Sequence, residues 1–261
     1  MSYSLWVALG ILAAFLASRG QPADRPELAP HRQALFTAAM IGAVLGAFLF
    51  ELPADLAGWA WVPPDAPKDL LPLGGRTVLG GLLGGWLTVE AVKWRRGIRD
   101  PTGDRFALPL ALALAFGRLG CTSAGCCAGQ TCVTETWWTW HGRIPVQPME
   151  VAFHAGCALA LWWAARRGWA TGRRLAIYLT VYGVVRFALE FARENPPIAL
   201  GLTWYQFLAL ALVVLAGGTW FHRSYSMAHV RSSKDTSTGS CDPHREESVR
   251  GTSAHADRPF E

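Results

Sequence analysis

The chain has 261 residues, 51% hydrophobic and only 16% charged, with mean hydropathy +0.21 and a net charge of +5. Soluble domains carry about a quarter charged residues. This mixture excludes a water-soluble globule, a disordered chain and a nucleic-acid binder, and fits a polytopic membrane protein. Seven apolar stretches have roughly the 20-residue length that a helix needs to cross a bilayer: 3–18, 33–50, 74–92, 106–128, 146–165, 174–193 and 200–220. The first resembles a signal peptide in its Ala14-Phe15-Leu16-Ala17, but residues 1–18 lack Lys and Arg. Without a basic start it reads as a span.

Basic residues alternate between the connecting loops. The first loop has Arg19, Arg25 and Arg32, the second only Lys68. The third has Lys93, Arg95, Arg96, Arg99 and Arg105, and the fifth Arg166, Arg167, Arg173 and Arg174. Cytoplasmic loops carry the basic excess, so odd loops are expected inside. The predicted fold is all-α: a polytopic membrane protein of about seven transmembrane helices, N-terminus outside, C-terminus inside. Residues 1–221 form the transmembrane domain. Residues 222–261, rich in Ser, Thr and charge, are expected to be a disordered cytoplasmic tail with a free thiol at Cys241. The tail's charges cancel, so the net +5 belongs to the first 221 residues. That charge fits topology signals and an anionic lipid rather than DNA.

Three segments place polar groups where lipid is expected, and intramembrane charges usually face the protein interior and have a function. In the fourth span, Gly117-Arg118-Leu119-Gly120 opens a segment through Gly129 that holds Cys121, Cys126 and Cys127. The apolar run before it is only half a membrane long, so Arg118 is intramembrane. At the start of the fifth span, Arg143-Ile144-Pro145-Val146-Gln147-Pro148-Met149-Glu150 carries Gln147 and Glu150 into the apolar region. Part of this is the ordinary preference of helix starts for Pro and acidic residues. In the sixth span, Tyr182, Arg186, Glu190 and Arg193 share one helical stripe, with Arg186 about 10 Å deeper than Arg193. Arg186 and Glu190 either form an ion pair that only sets helix register or build an anion site, because a guanidinium fork matches phosphate.

Together these segments resemble the bacterial prolipoprotein diacylglyceryl transferase family. Gly117 through Gly129 is similar to its glycine–arginine signature, Arg143 through Glu150 to its Arg-His-Pro-x-Gln-x-x-Glu stretch, and Tyr182 through Glu194 to its late Tyr-Gly-x-x-Arg-Phe-x-x-Glu helix. Gly201 through Gln206 and the glycine-rich Gly74 through Leu82 complete five motifs in order. The resemblance implies a multi-pass enzyme of the bacterial inner membrane with its site facing the periplasm. It would need no cofactor or metal and no nucleic acid. It would move a diacylglyceryl group from phosphatidylglycerol, a membrane lipid, to the cysteine thiol at the signal-peptide junction of a prolipoprotein, releasing glycerol phosphate. Arg118, Arg186, Glu190 and Glu150 are the expected catalytic residues. Arg143, Gln147, Tyr182, Gln206, Gly120 and Gly129 are the expected substrate-binding residues.

The chain departs from the family pattern at several of these positions. Leu79 stands where the family usually carries His, Cys121 and Ala124 where it carries Asn, Cys126 where it carries Glu, and Met149 where it carries Tyr. Glu150, Glu190 and, one turn on, His154 remain as groups to take the proton of an acceptor thiol. Cys121, Cys126, Cys127 and Cys132 leave four readings open: close packing, a disulfide from Cys126 or Cys127 to Cys132, metal or persulfide binding, and a nucleophile. The alternatives for the whole chain are a relative with a changed acceptor or thiol chemistry, and a non-enzymatic binder or transporter of anionic lipid.

Overall fold

A computed structural model describes residues 2–20, 26–61, 76–127, 129–132, 139 and 142–238; Lys68, Gly74, Gly75 and Cys241 lie outside them. The helices are α1 (Tyr3–Arg19), α2 (Arg32–Leu49), α3 (Leu52–Trp61), α4 (Val78–Arg95), α5 (Asp104–Ala124), α6 (Val146–Arg166), α7 (Arg174–Glu190) and α8 (Trp204–Thr238). A 3₁₀ turn over Pro26–His31 precedes α2. Each of the seven apolar stretches holds a helix, and α3 adds one that the sequence reading left in a loop. Among the described residues, Leu28–Leu56, Asp104–Ala124 and Trp204–Tyr225 are long and apolar enough to cross a membrane, and Tyr3–Arg19 is apolar but shorter. Helices α6 and α7 carry Gln147, Glu150, His154, Arg186 and Glu190 within their length, which lowers their apolar character.

The all-α expectation needs one amendment. A two-stranded antiparallel hairpin, β1 (Pro197–Ala199) and β2 (Leu202–Thr203), lies between α7 and α8. Pro196 and Pro197 cannot continue a helix. Leu200 and Gly201 both take positive φ, 53° and 71°, as a two-residue hairpin turn requires.

The chain divides into two compact units, Met1–Trp220 and Phe221–Glu261. In the second, the backbone is helical to Thr238, past residue 222 where the sequence reading begins a disordered tail. Residues 239–261 lie outside the described residues.

Two kinds of packing build the first unit. Helices α2 and α4 meet backbone to backbone: a Cβ on Gly42 would lie 2.5 Å from the Gly84 carbonyl, and one on Gly80 would lie 2.6 Å from that of Gly46. Small residues permit such an approach, which gives dispersion contact without a hydrophobic drive from water. Around α5, α6, α7 and α8 the core is made of larger side chains, including Leu79, Leu83, Leu108, Leu161, Leu179, Leu208 and Leu212 with Tyr178 and Tyr182. The outward faces are also apolar, with Ile11, Leu49, Leu159, Val184 and Val214 at least half exposed, as lipid contact requires.

Helix ends are fixed by specific bonds. Asp104 opens α5 and also caps α7: its carboxylate accepts the backbone N–H of Arg174 at 2.9 Å and that of Gly172. Helix α5 stops at Gly125, whose φ of 67° supplies the left-handed cap, so the fourth apolar stretch ends as helix before residue 128. Thr203 and Gln206 form a reciprocal capping box at the start of α8. The Gln206 Oε1 accepts the Thr203 N–H at 2.9 Å, and the Thr203 hydroxyl accepts the Gln206 N–H at 3.3 Å.

Candidate active site

The last turns of α5, the first turn of α6 and the last turns of α7 converge, bringing together a cluster of buried charges. Glu150 has no exposed surface and faces three arginines: Arg118 Nε at 3.0 Å, Arg193 Nη2 at 3.4 Å and Arg186 Nε at 3.7 Å. Arg186 Nη1 lies 2.5 Å from Glu190 Oε2, and Glu190 Oε1 accepts from Asn195 Nδ2 at 2.5 Å and the Thr203 hydroxyl at 3.1 Å. Desolvating a charge costs several kcal/mol, and only dense pairing offsets it. Three guanidiniums against two carboxylates leave the cluster one positive charge in excess.

That excess faces a cavity of about 340 Å³ lined by Arg118, Arg186, Arg193, Arg76, Thr77, Val78, Leu79, Cys127, Glu51, Glu194, Asn195 and Tyr205. Arg76 adds a fourth guanidinium, with its carbon 5.0 Å from the centre of the Phe48 ring. Glu51 is held by the N-terminal turn of α8. The Tyr205 hydroxyl donates to Glu51 Oε1 at 2.5 Å, and Trp204 Nε1 donates to the Phe50 carbonyl at 2.5 Å. The other oxygen, Glu51 Oε2, is buried without a hydrogen bond. No arginine pairs with Glu51 among the ion pairs of the described residues, unlike Glu150 and Glu190.

Of the residues expected from sequence, Arg118, Arg186, Glu150, Glu190 and Tyr182 come together. Tyr182 is fully buried, with its hydroxyl near Arg118 but without a hydrogen bond of normal geometry. Other expected substrate-binding residues hold the frame. Gln206 uses its Oε1 in the capping box, while its buried Nε2 is unpartnered. Gln147 Nε2 donates to the Cys126 carbonyl at 2.7 Å, which ties the end of α5 to α6. Gly120 lets α1 lie against α5, because a Cβ there would sit 3.0 Å from the Tyr3 ring. Gly129 is wedged between two backbone segments, where a Cβ would meet the Ile144 and Ala192 carbonyls at 2.6 and 2.9 Å. Arg143 is exposed, with Nη1 3.5 Å from the Gly129 carbonyl, and does not line the cavity.

His154 lies a turn beyond Glu150, but its Nδ1 is 2.8 Å from the Tyr178 hydroxyl and its ring packs on Tyr182. It belongs to the aromatic core. The Thr131 amide and hydroxyl bond Glu194 Oε1 at 2.9 and 3.2 Å, which holds its carboxyl below the ordinary glutamate range. Cys121, Cys126, Cys127 and Cys132 are all free thiols, so the disulfide to Cys132 is not formed.

Sequence reasoning missed Glu51, Arg76, Asn195 and Tyr205. Glu51 ends an apolar run and Asn195 precedes two prolines, which reads as a helix stop. Only the fold brings these segments to the same cavity. Gln206 carried a readable signal, since Thr203-Trp204-Tyr205-Gln206 is a capping-box pattern.

Comparison with known proteins places the sequence in a family. The sequence profile of the family described as prolipoprotein diacylglyceryl transferase matches residues 1–222. A phosphatidylglycerol–prolipoprotein diacylglyceryl transferase of Clostridium tetani is 27% identical over 226 residues, covering 82% of this chain and 89% of the relative. Enzymes of the same name from Clostridium perfringens and Aromatoleum aromaticum are 25% and 30% identical, covering 90% and 82% of this chain and 93% and 88% of their own. The chain belongs to the prolipoprotein diacylglyceryl transferase family and is a transferase of that kind.

Proposed function

We propose that the protein transfers a diacylglyceryl group from phosphatidylglycerol to the cysteine thiol at the signal-peptide junction of a prolipoprotein, releasing glycerol phosphate. The observation that carries this reading is the cavity whose own lining sets four arginines, Arg76, Arg118, Arg186 and Arg193, against two carboxylates, Glu51 and Glu194. An anionic headgroup fits such a site, and guanidinium forks suit phosphate oxygens. A cavity of about 340 Å³ has room for a headgroup, not for two acyl chains, which would lie against the apolar outer faces of the helices.

In the reaction the acceptor thiolate attacks the glyceryl carbon that carries the phosphate. The carbon–oxygen bond breaks, and the electron pair stays on the departing glycerol phosphate. Arg118 and Arg186 meet the charge that develops there, in a site where they are already oriented. Glu150 and Glu190 fix those arginines rather than the substrate. The acceptor must first lose its proton. Glu51 is suited to receive it, because it lines the cavity, has a free oxygen and is not neutralised by an arginine. Seven membrane spans, with the N-terminus outside and the cavity facing the periplasmic side of the inner membrane, complete the reading. The alternation of basic loops supports it.

The test is lipidation of a prolipoprotein by purified Arg186→Gln protein, together with complementation of a transferase-depleted strain. Loss of about 10²–10³-fold in transfer with the fold retained is expected, the scale of removing one charge-stabilising donor. Transfer at the wild-type rate would refute the role of Arg186. Bound lipid with no release of glycerol phosphate from the wild-type protein would refute the transferase reading itself.

A further inference from the structure

The corner where α5 ends carries three thiols. The Sγ atoms of Cys121, Cys126 and Cys127 all lie within 4.8 Å of one another, and no other Cys, His, Asp or Glu side chain joins them among the described residues. The backbone sets this spacing. Gly125 caps α5 in the left-handed region, and the Cys126 N–H returns to the Cys121 carbonyl at 3.2 Å. Cys127 takes φ of 60°, which L-residues with a Cβ adopt only at a cost of about 1 kcal/mol or more. The chain thus folds Cys126 and Cys127 back beside Cys121, which sits in the last turn of the helix. Gln147 of α6 fastens the turn through the Cys126 carbonyl. Cys121 is partly buried, Cys126 and Cys127 are exposed, and Cys127 also lines the arginine cavity.

We propose that Cys121, Cys126 and Cys127 bind one thiophilic divalent cation of the zinc class, with a fourth coordination position open towards the arginine cavity. Three converging sulfurs suit a metal better than a disulfide, which joins two and leaves the third unused. Zinc–sulfur bonds of about 2.3 Å place tetrahedral sulfurs about 3.8 Å apart, so the cluster closes onto an ion through small side-chain rotations. Soft thiolates select such ions over magnesium or calcium. Three protein ligands with a vacant fourth site is the pattern of reactive rather than purely structural zinc. A thiol entering the fourth position gives up its proton to water or to Glu51, which lines the cavity, and stays bound as thiolate beside it. The identity of that fourth ligand rests on the transferase reading; the three-thiolate site does not.

The test is a cadmium titration of the full chain in detergent, kept reduced, following the ultraviolet cadmium–thiolate charge-transfer band. One equivalent with the intensity of three thiolates is expected. Cys121→Ser, Cys126→Ser and Cys127→Ser should each weaken binding beyond the ~10–100-fold seen on losing a merely supporting residue. Cys132→Ser and Cys157→Ser should leave it unchanged. Adding a small thiol such as N-acetylcysteine should raise the band by one further thiolate. A band that never appears, or that survives in the triple serine variant, overturns the site. A band that stays at three thiolates when the thiol is added overturns the open position. Arg186→Gln protein should bind cadmium normally even where its transfer is lost, so the two readings fail separately.

Discussion

The seam between α2 and α4 and the junction of α5, α6 and α7 solve the same packing problem with opposite means. In the seam, Gly42, Gly46, Gly80 and Gly84 bring two backbones into contact with little polar chemistry. At the junction, Glu150 and Glu190 bind Arg118, Arg186 and Arg193, every one of which had to be taken from water. Holding helices together requires only the first arrangement. The second carries a much larger desolvation cost, and it is found where the cavity is. The difference separates residues that serve helix packing alone from residues to which we also assign a role in the proposed activity.

The comparison can be broken most directly at Glu150. Glu150→Gln leaves three close arginines with one carboxylate, and breaking a buried pair in this way costs about 3–5 kcal/mol. Reduced thermal stability in detergent and loss of transfer should appear together. If Glu150→Gln unfolds like the wild type, the junction is not held by charge. Gly84→Leu tests the other side. A side chain there would run into Gly46, whose Cα is 2.7 Å from a Cβ on Gly84, and overpacking costs about 1–3 kcal/mol. Activity per folded molecule should persist, and a kinetic defect without a stability defect would erase the distinction. Asn195→Ala removes one hydrogen bond from Glu190 and should cost roughly 1.5–3 kcal/mol, the range for bonds to charged groups. It should raise the KM for lipid more than it lowers kcat. The smallest effect is expected at Glu194, whose folded pKa lies below the ordinary 4.5 because Thr131 bonds the carboxylate. The contribution of this contact is present above the unfolded value and is lost as pH falls through the lowered folded one. Hydrogen exchange at the Thr131 amide should therefore lose protection only in acid, and protection independent of pH would discount the contact.

The position of seven of the eight described helices was legible from apolar length, while α3, only ten residues long and following Glu51, was not. The stripe of Tyr182, Arg186 and Glu190 was legible too, since helical spacing puts those residues on one face before any tertiary fold is known. What the three arginines share was not legible. Glu150 and Arg193 are 43 residues apart in sequence, and no local pattern indicates that they meet. Glu51 was hidden for the same reason, as its hydrogen-bond partner Tyr205 lies 154 residues away. The glycines were read as part of a substrate site because glycine near an arginine suits either ligand approach or helix approach. Only the fold shows that Gly120 lets α1 approach α5 at the Tyr3 ring and that Gly129 fits between the Ile144 and Ala192 carbonyls.

The bonds from Asp104 to the start of α7 have a mechanical consequence. Helices α5 and α7 are pinned to each other at that end, and at the other end Gln130 N–H bonds the Ala192 carbonyl at 2.8 Å while Glu150 bridges Arg118 and Arg186. A beam clamped at both ends resists splaying, so α5 and α7 hold those two guanidiniums at one separation. Any widening of the cavity is therefore expected at the opposite wall, where Glu51 and Thr77 sit at the ends of the glycine-packed α2 and α4.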